Sequence, residues 1–419
     1  MNPSLFQMIA ALLFAIAILH TFAARWFERL AHRYPAHAGI WHLLGEVEIV
    51  FGFWAMILIS LMLFFDGEVS TKAYIEGRNF TEPMFVFVIM VIAATRPVLQ
   101  TAKRLVEFIG QVLPLSGVGG VYLVVVTAVP LLGSLITEPA AMTLAALILA
   151  DQIFSRGVSN RLKYATLGIL FVNISIGGTL TAYAAPPVLM VAGPWGWDSA
   201  FMLTAFGWKA AIAVVINGLG VTLAFNKELA LLDVVQQKDS ARRLPALTII
   251  LHFGLLFGVV LFAHYPPIFI GLFLLFMGIA TAYPQHHDRL ILREALLVSF
   301  FLAGLVVLGG QQQWWLQPAL LGMDSRAVFF GAIGLTAFTD NAALTYLGSL
   351  VEGLSDEFKY ALVAGAVAGG GLTVIANAPN PAGVAILRRY FQDGAISAGG
   401  LFIAAAVPTV VAAGAFALL

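Results

Sequence analysis

The chain has 419 residues, 60% of them hydrophobic and 11% charged, and its 22 Lys and Arg balance 22 Asp and Glu. Soluble domains carry about a quarter charged residues, so this composition excludes an ordinary soluble protein and points to a polytopic membrane protein. Cysteine is absent, which excludes disulfides and thiolate metal sites, and the sequence holds no basic patch suited to nucleic acid.

A hydrocarbon core of about 30 Å asks for about 20 apolar residues per helix. The stretch from Met1 to Ala24 is apolar with no Lys or Arg before Arg25, so it lacks the positive start of a cleaved signal peptide and reads as a retained span over 4–24. Further spans fall at 41–65, 81–101, 164–190 and 199–223. Glu46 and Glu48 stand at the start of the second and read as a solvated helix end, while Arg96-Pro97 anchors the third. Segment 98–114, with Lys103, Arg104 and Glu107 among aliphatics, reads as an amphipathic helix lying on the membrane surface. The polar segment 224–244 is a cytoplasmic linker. Beyond it come spans at 245–264, 266–283, 290–310, 359–385 and 396–419, with His286-His287-Asp288 on a solvated turn and Gln311 to Trp315 as an interfacial belt.

Two apolar stretches remain, 116–155 and 325–353, each interrupted by a polar break, and both read as re-entrant hairpins. Charge bookkeeping supports that choice, because cytoplasmic loops should hold the Lys and Arg excess. One side collects Arg25, Arg29, Arg33, Lys103, Arg104, Arg156, Arg161, Lys163, Lys227, Lys238, Arg242, Arg243, Arg289, Arg293, Arg388 and Arg389, and the other only Lys72, Arg78, Arg326 and Lys359. The split places both termini outside the cytoplasm. Five spans and one hairpin per half, an odd number of crossings, turn the second half (245–419) upside down relative to the first (1–223), which is an inverted repeat.

Each hairpin carries a version of one motif. Leu135-Ile136-Thr137-Glu138-Pro139-Ala140-Ala141 reappears as Ala337-Phe338-Thr339-Asp340-Asn341-Ala342-Ala343. Lys163-Tyr164-Ala165 and Lys359-Tyr360-Ala361 follow, and then two glycine-rich, proline-broken segments, Gly177 to Pro187 and Gly369 to Asn380. A mid-membrane carboxylate costs about 2.5–3.5 kcal/mol on insertion scales, so two at matching places call for a function. At a hairpin tip, Thr137 and Thr339 are expected to cap the outgoing helices, Pro139 suits a first turn, and Glu138 and Asp340 stand at positive helix ends. The breaks at 164–190 and 359–385 expose carbonyls, the hydroxyls of Thr179, Thr181 and Thr373 and the amide of Asn377, which with the carboxylates and Asn341 make an oxygen-rich set suited to a hard cation. Lys209, midway along 199–223, either pairs with one of these acids or makes a structural contact.

This pattern resembles the ion transporter superfamily, which includes divalent-anion/sodium symporters, arsenite permeases and certain sodium/proton antiporters. The resemblance implies two inverted repeats, each with a re-entrant hairpin and an unwound helix, and a homodimer. Where the anion symporters carry Ser-Asn-Thr at the hairpin tips, this chain carries Thr137-Glu138-Pro139 and Thr339-Asp340-Asn341, and Asp340 to Thr345 is similar to the motif of bacterial sodium/proton antiporters. The expectation is a secondary transporter of the bacterial inner membrane without a cofactor, exchanging Na⁺ or Li⁺ for H⁺. Glu138 and Asp340 would bind Na⁺ or a proton in turn, so that occupancy by one excludes the other, with Lys209 a third candidate proton carrier. An anion or organic-acid carrier, using Lys209, Asn377 and Asn380 as donors, is the alternative. An intramembrane enzyme lacks support, since neither His-Glu-x-x-His nor a nucleophile elbow is present.

Overall fold

The computed structural model of the chain describes residues 3–232 and 244–419. It is all-helical, 81% helix, with no strands among the described residues. In chain order the principal helices of the first part are α1 (Leu5–Thr21), α2 (Val47–Phe65), α3 (Thr81–Ala93), α4 (Arg96–Val112), α5 (Gly119–Ile136), α6 (Glu138–Gln152), α7 (Asn160–Gly177), α8 (Pro186–Trp195) and α9 (Ser199–Ala224, with a π-helical turn at Leu203–Gly207). The second part holds α10 (Ala246–Leu261), α11 (Pro266–Ala282), α12 (Leu292–Gly309), α13 (Ser325–Thr336), α14 (Asn341–Ser349), α15 (Asp356–Gly369), α16 (Asn380–Leu387) and α17 (Ala398–Leu418).

Among the described residues six helices are long and apolar enough to cross a membrane, or up to eight if two bent pairs each count once, against the ten spans expected from sequence. Two of the expected spans, α10 and α11, have 16 and 17 residues, or roughly 24–26 Å at 1.5 Å per residue. Their boundary is set by Pro266-Pro267 in the first turn of α11. The run 359–385 divides into α15 and α16, and α5, assigned from sequence to a hairpin, is itself one of the six.

The run 81–101 also departs from a straight span. It bends by 64° between α3 and α4, because Thr95 is extended (φ −72°, ψ 151°) and Pro97 occupies the first turn of α4, where its missing N–H costs nothing but cannot continue the α3 ladder. The amphipathic helix expected over 98–114 therefore begins at Arg96. Val106 and Gly110 face α5, with Gly110 against Val121, and Leu105, Phe108 and Val112 stay exposed.

The centre is made by the two broken helices. Every residue of α7 from Thr166 to Gly177, and of α15 from Ala361 to Gly369, is buried, as befits helices enclosed on all sides. α7 packs on α5 and α17, and α15 on α13. The short helices that follow the breaks cross over: α8 packs on α14, and α16 packs on α6. Each half thus lends a helix to the other's acidic motif.

Of the linker 224–244, residues 233–243 lie outside the described residues, Lys238, Arg242 and Arg243 among them. Its beginning is docked and not free: the Glu228 carboxylate accepts from the Ser159 amide at 2.6 Å and from its hydroxyl at 2.9 Å, at the N-terminus of α7. The histidine turn likewise reaches α10, with His287 Nε2 2.8 Å from His252 Nε2 and His286 Nδ1 3.2 Å from the Thr248 hydroxyl.

Candidate functional site

The acidic motifs sit where helices stop and restart. α5 ends at Ile136 and α6 begins at Glu138, so one residue, Thr137, makes the whole turn. It does so at φ 76°, ψ 149°, a region that a β-branched side chain avoids at a cost of about 1–3 kcal/mol. That backbone overturns the expected cap: the Thr137 hydroxyl bonds no amide of α6 and is buried without a partner. The second motif turns differently. Ala337 to Asp340 joins α13 to α14, and the N-cap is Asp340 itself, whose Oδ1 accepts from the amides of Ala342 at 2.8 Å and Ala343 at 3.3 Å. Thr339, the expected cap, lies one residue too early to reach those amides.

Both acids therefore stand at helix N-termini, where aligned peptide dipoles favour negative charge. Glu138 is completely buried, and Asp340 is 8% exposed. Glu138 Oε2 accepts from Asn377 Nδ2 at 2.9 Å, while its Oε1 has no partner. Gly178 makes room for that carboxylate, since a Cβ there would collide with Glu138 Oε1. Gly370 does the same beside Ser175 and Asn341.

The unwound segments supply the remaining groups. Thr179 donates to Ile176 O at 2.7 Å, Thr181 to Ser134 O at 2.7 Å, and Thr373 to Ala337 O at 2.9 Å. Each of these expected cation ligands thus spends its proton on a local carbonyl and ties a break to the neighbouring hairpin-motif helix or its own. Asn380 donates to Gly370 O and Thr373 O, holding its loop closed. Asn341 donates to Ser175 Oγ at 3.4 Å. The amide oxygens of Asn341, Asn377 and Asn380 are, like Glu138 Oε1, buried and without a partner. A buried acceptor left unmatched is unusual enough to need a reason.

Asn377 joins the two acids. It bonds Glu138 and also lines, with Asp340 and Glu48, a cavity of about 20 Å³ walled by Val298 and Phe301, above the ~10–15 Å³ that one water needs. Asp340 and Glu48 share the wall of that cavity, and Asn377 links it to Glu138. Glu48 is a site residue that the sequence reading left as a solvated helix end. Its neighbour Glu46 is half-buried and paired with Arg293 at 2.5 Å.

Lys209 does not join the acids. Its ammonium donates to the Tyr360 hydroxyl at 2.9 Å and lies 4.6 Å from that ring's centroid, and Tyr360 in turn donates to Phe416 O. A further acid was overlooked in the sequence: Glu82, 7% exposed, at the start of α3. The signal was there, because Thr81-Glu82-Pro83 repeats the tripeptide Thr137-Glu138-Pro139. No curated protein matches the chain. The sequence model of the family described as "Putative Na+/H+ antiporter" matches residues 5–419, and the chain belongs to that family.

Proposed function

We propose that the chain exchanges Na⁺ or Li⁺ for H⁺ by alternating access, with Glu138 and Asp340 as the carboxylates that hold cation or proton in turn. The observation that carries this reading is the set of partnerless buried oxygens around two opposed helix breaks: Glu138 Oε1, the Thr137 hydroxyl and the amide oxygens of Asn341, Asn377 and Asn380. Acceptors without donors are what a cation or a proton satisfies, and carboxylate, hydroxyl and amide oxygen are hard ligands. The same set argues against an anion substrate, which needs donors, and the ammonium of Lys209, midway along α9, is turned to Tyr360. The family's name points to the same pair of ions.

The reading includes two inverted repeats of the ion transporter superfamily type, each with a re-entrant hairpin and a broken helix. The reciprocal packing of α8 on α14 and of α16 on α6 supports it. So do contacts among residues that the charge count assigns to one side: Lys163 with Tyr390 O, Arg293 with Glu46, and, on the other side, Lys359 over the Trp195 ring. The membrane is the bacterial inner membrane, with both termini outside the cytoplasm.

The test is purified protein in liposomes with a trapped pH dye, given pulses of Na⁺, Li⁺, K⁺ and carboxylates. Proton efflux driven by Na⁺ or Li⁺ and lost in Asp340→Asn is the expected result. No response to any cation overturns it.

A further inference from the structure

A wide cavity opens beside the break that follows α7. It measures about 430 Å³ and is lined by Glu82, Tyr183, Asp198 and His264 among others. That is far above the ~10–15 Å³ needed for one water, so a cation can enter it hydrated. The walls come from the start of α3, the break after α7, the start of α9 and the end of α10 remote from segment 224–244. No Lys or Arg lines it, so its fixed charges favour cations.

Glu82 is built for this place and not left there by accident. Its Oε1 accepts from Asn79 Nδ2 at 3.0 Å, and its position in the first turn of α3 puts it at the positive end of the helix. It also faces Gly193 of α8, where a Cβ would stand 3.4 Å from Oε1 and meet nothing else within 4 Å. Inward from here, Tyr183 lines both this cavity and a second one of about 10 Å³ whose other walls include Thr137 and Pro139. Tyr183 is therefore the shared wall between the cavity that holds Glu82 and the small one beside Thr137 and Pro139, the residues on either side of Glu138.

We propose that this cavity is the outer vestibule of the ion path and that Glu82 is its cation-gathering carboxylate, delivering a monovalent cation or a hydronium past Tyr183 to Glu138. The proposal rests on the exchange reading and deepens it: the Thr-Glu-Pro tripeptide is used twice along one route, first at the mouth and then at the centre. Asp340 and Glu48 face the opposite mouth.

The absence of cysteine allows a test that needs no transport. Gly193→Cys in the full chain places a single thiol beside Glu82, and membrane-impermeant methanethiosulfonates, one cationic and one anionic, are applied from each face. Modification is expected from the face opposite segment 224–244, with the cationic reagent favoured about tenfold, the low end of electrostatic focusing in a charged cleft. The ratio of the two rates, which cancels changes in thiol reactivity, should fall to that of a free thiol when Glu82→Gln is added. A thiol unreactive from that face, or a ratio unmoved by Glu82→Gln, overturns the proposal. Ser199→Cys, in the same wall, supplies the measurement if Gly193→Cys fails to fold. In liposomes, Glu82→Gln should raise half-saturating Na⁺ severalfold at that face and not at the other. Absence of exchange in the unmodified protein would sink the exchange reading alone, since the labelling ratio still reports whether Glu82 makes a cation-selective cavity.

Discussion

Replacing Asn377 with alanine removes the side-chain hydrogen bond that Glu138 receives from the other half of the chain. Glu138 has a single partner, Asn377 Nδ2 at 2.9 Å, and Oε1 has none. Asn377→Ala therefore leaves a fully buried carboxylate without any donor. A hydrogen bond to a charged group contributes about 1.5–3 kcal/mol. That loss falls on the ionised carboxylate, which is the form that binds a cation, and much less on the neutral acid. At 1.4 kcal/mol per decade, half-saturating Na⁺ should rise about 10- to 150-fold at fixed pH. The assay is dye-reported proton efflux from liposomes across a Na⁺ titration. Asn380→Ala separates a bond to a carboxylate from bonds to the backbone: its amide donates to Gly370 O at 2.8 Å and Thr373 O at 2.9 Å, so it should cost about 1–3 kcal/mol of stability for two neutral bonds, read by thermal unfolding. A Na⁺ titration of Asn377→Ala within twofold of the parent would refute the assignment of Glu138 Oε2 to ion binding.

Three other substitutions separate the roles of neighbouring residues. Thr137→Gly relieves a strained φ of 76° worth about 1–3 kcal/mol and adds about 0.5–1 kcal/mol of backbone entropy, so thermal stability should hold or rise by up to about 2 kcal/mol while exchange falls; a fall in melting temperature would show that the turn is unstrained. Gly178→Val drives side-chain atoms into the Glu138 carboxylate and should abolish exchange, with a stability loss of about 1–3 kcal/mol read by thermal unfolding; retained exchange would place the carboxylate elsewhere. Lys209→Met keeps the side-chain length and removes the ammonium with its bond to the Tyr360 hydroxyl and its place over that ring, so exchange should persist with Na⁺ dependence unchanged, and a loss of exchange would restore Lys209 to the ion path.

The helical class, the four breaks and the two central acids were legible because each has a local cause. Apolar runs make buried helices, Pro186-Pro187 and Pro379 stand just where α8 and α16 begin, and a carboxylate in such a run is conspicuous. Span lengths were less legible: the run 81–101 reads as one span although it takes in the first turns of α4, and the 64° bend depends on a single extended residue, Thr95, ahead of Pro97. The identity of the caps also escaped, since Thr precedes the acid in both motifs, and only the backbone decides that Asp340 caps its helix while Thr137 caps nothing.

What no local pattern could supply is the partner of each acid. Asn377 meets Glu138 across 239 residues, and Glu48 reaches the Asp340 cavity from a helix start that looks solvated in one dimension. Under the proposed inverted repeat, the two halves can be compared position by position. Counting from the paired glycines, Gly178 with Gly370, position 377 corresponds to 185, and there the first half has alanine where the second has asparagine. Asn377 is therefore an asymmetry laid on a repeated frame: Glu138 receives a side-chain donor from the opposite half, whereas Asp340 receives none from Ala185 and takes its donors from the amides of its own helix. Two acids at equivalent places thus differ in what holds their charge. Asp340 keeps its donors wherever the other half moves, but Glu138 loses its only one if α16 and the break before it shift away from α6. On the proposed exchange reading, Glu138 is then the carboxylate whose hold on a cation would vary with the relative position of the halves, while Asp340 would offer the same amide-capped carboxylate throughout.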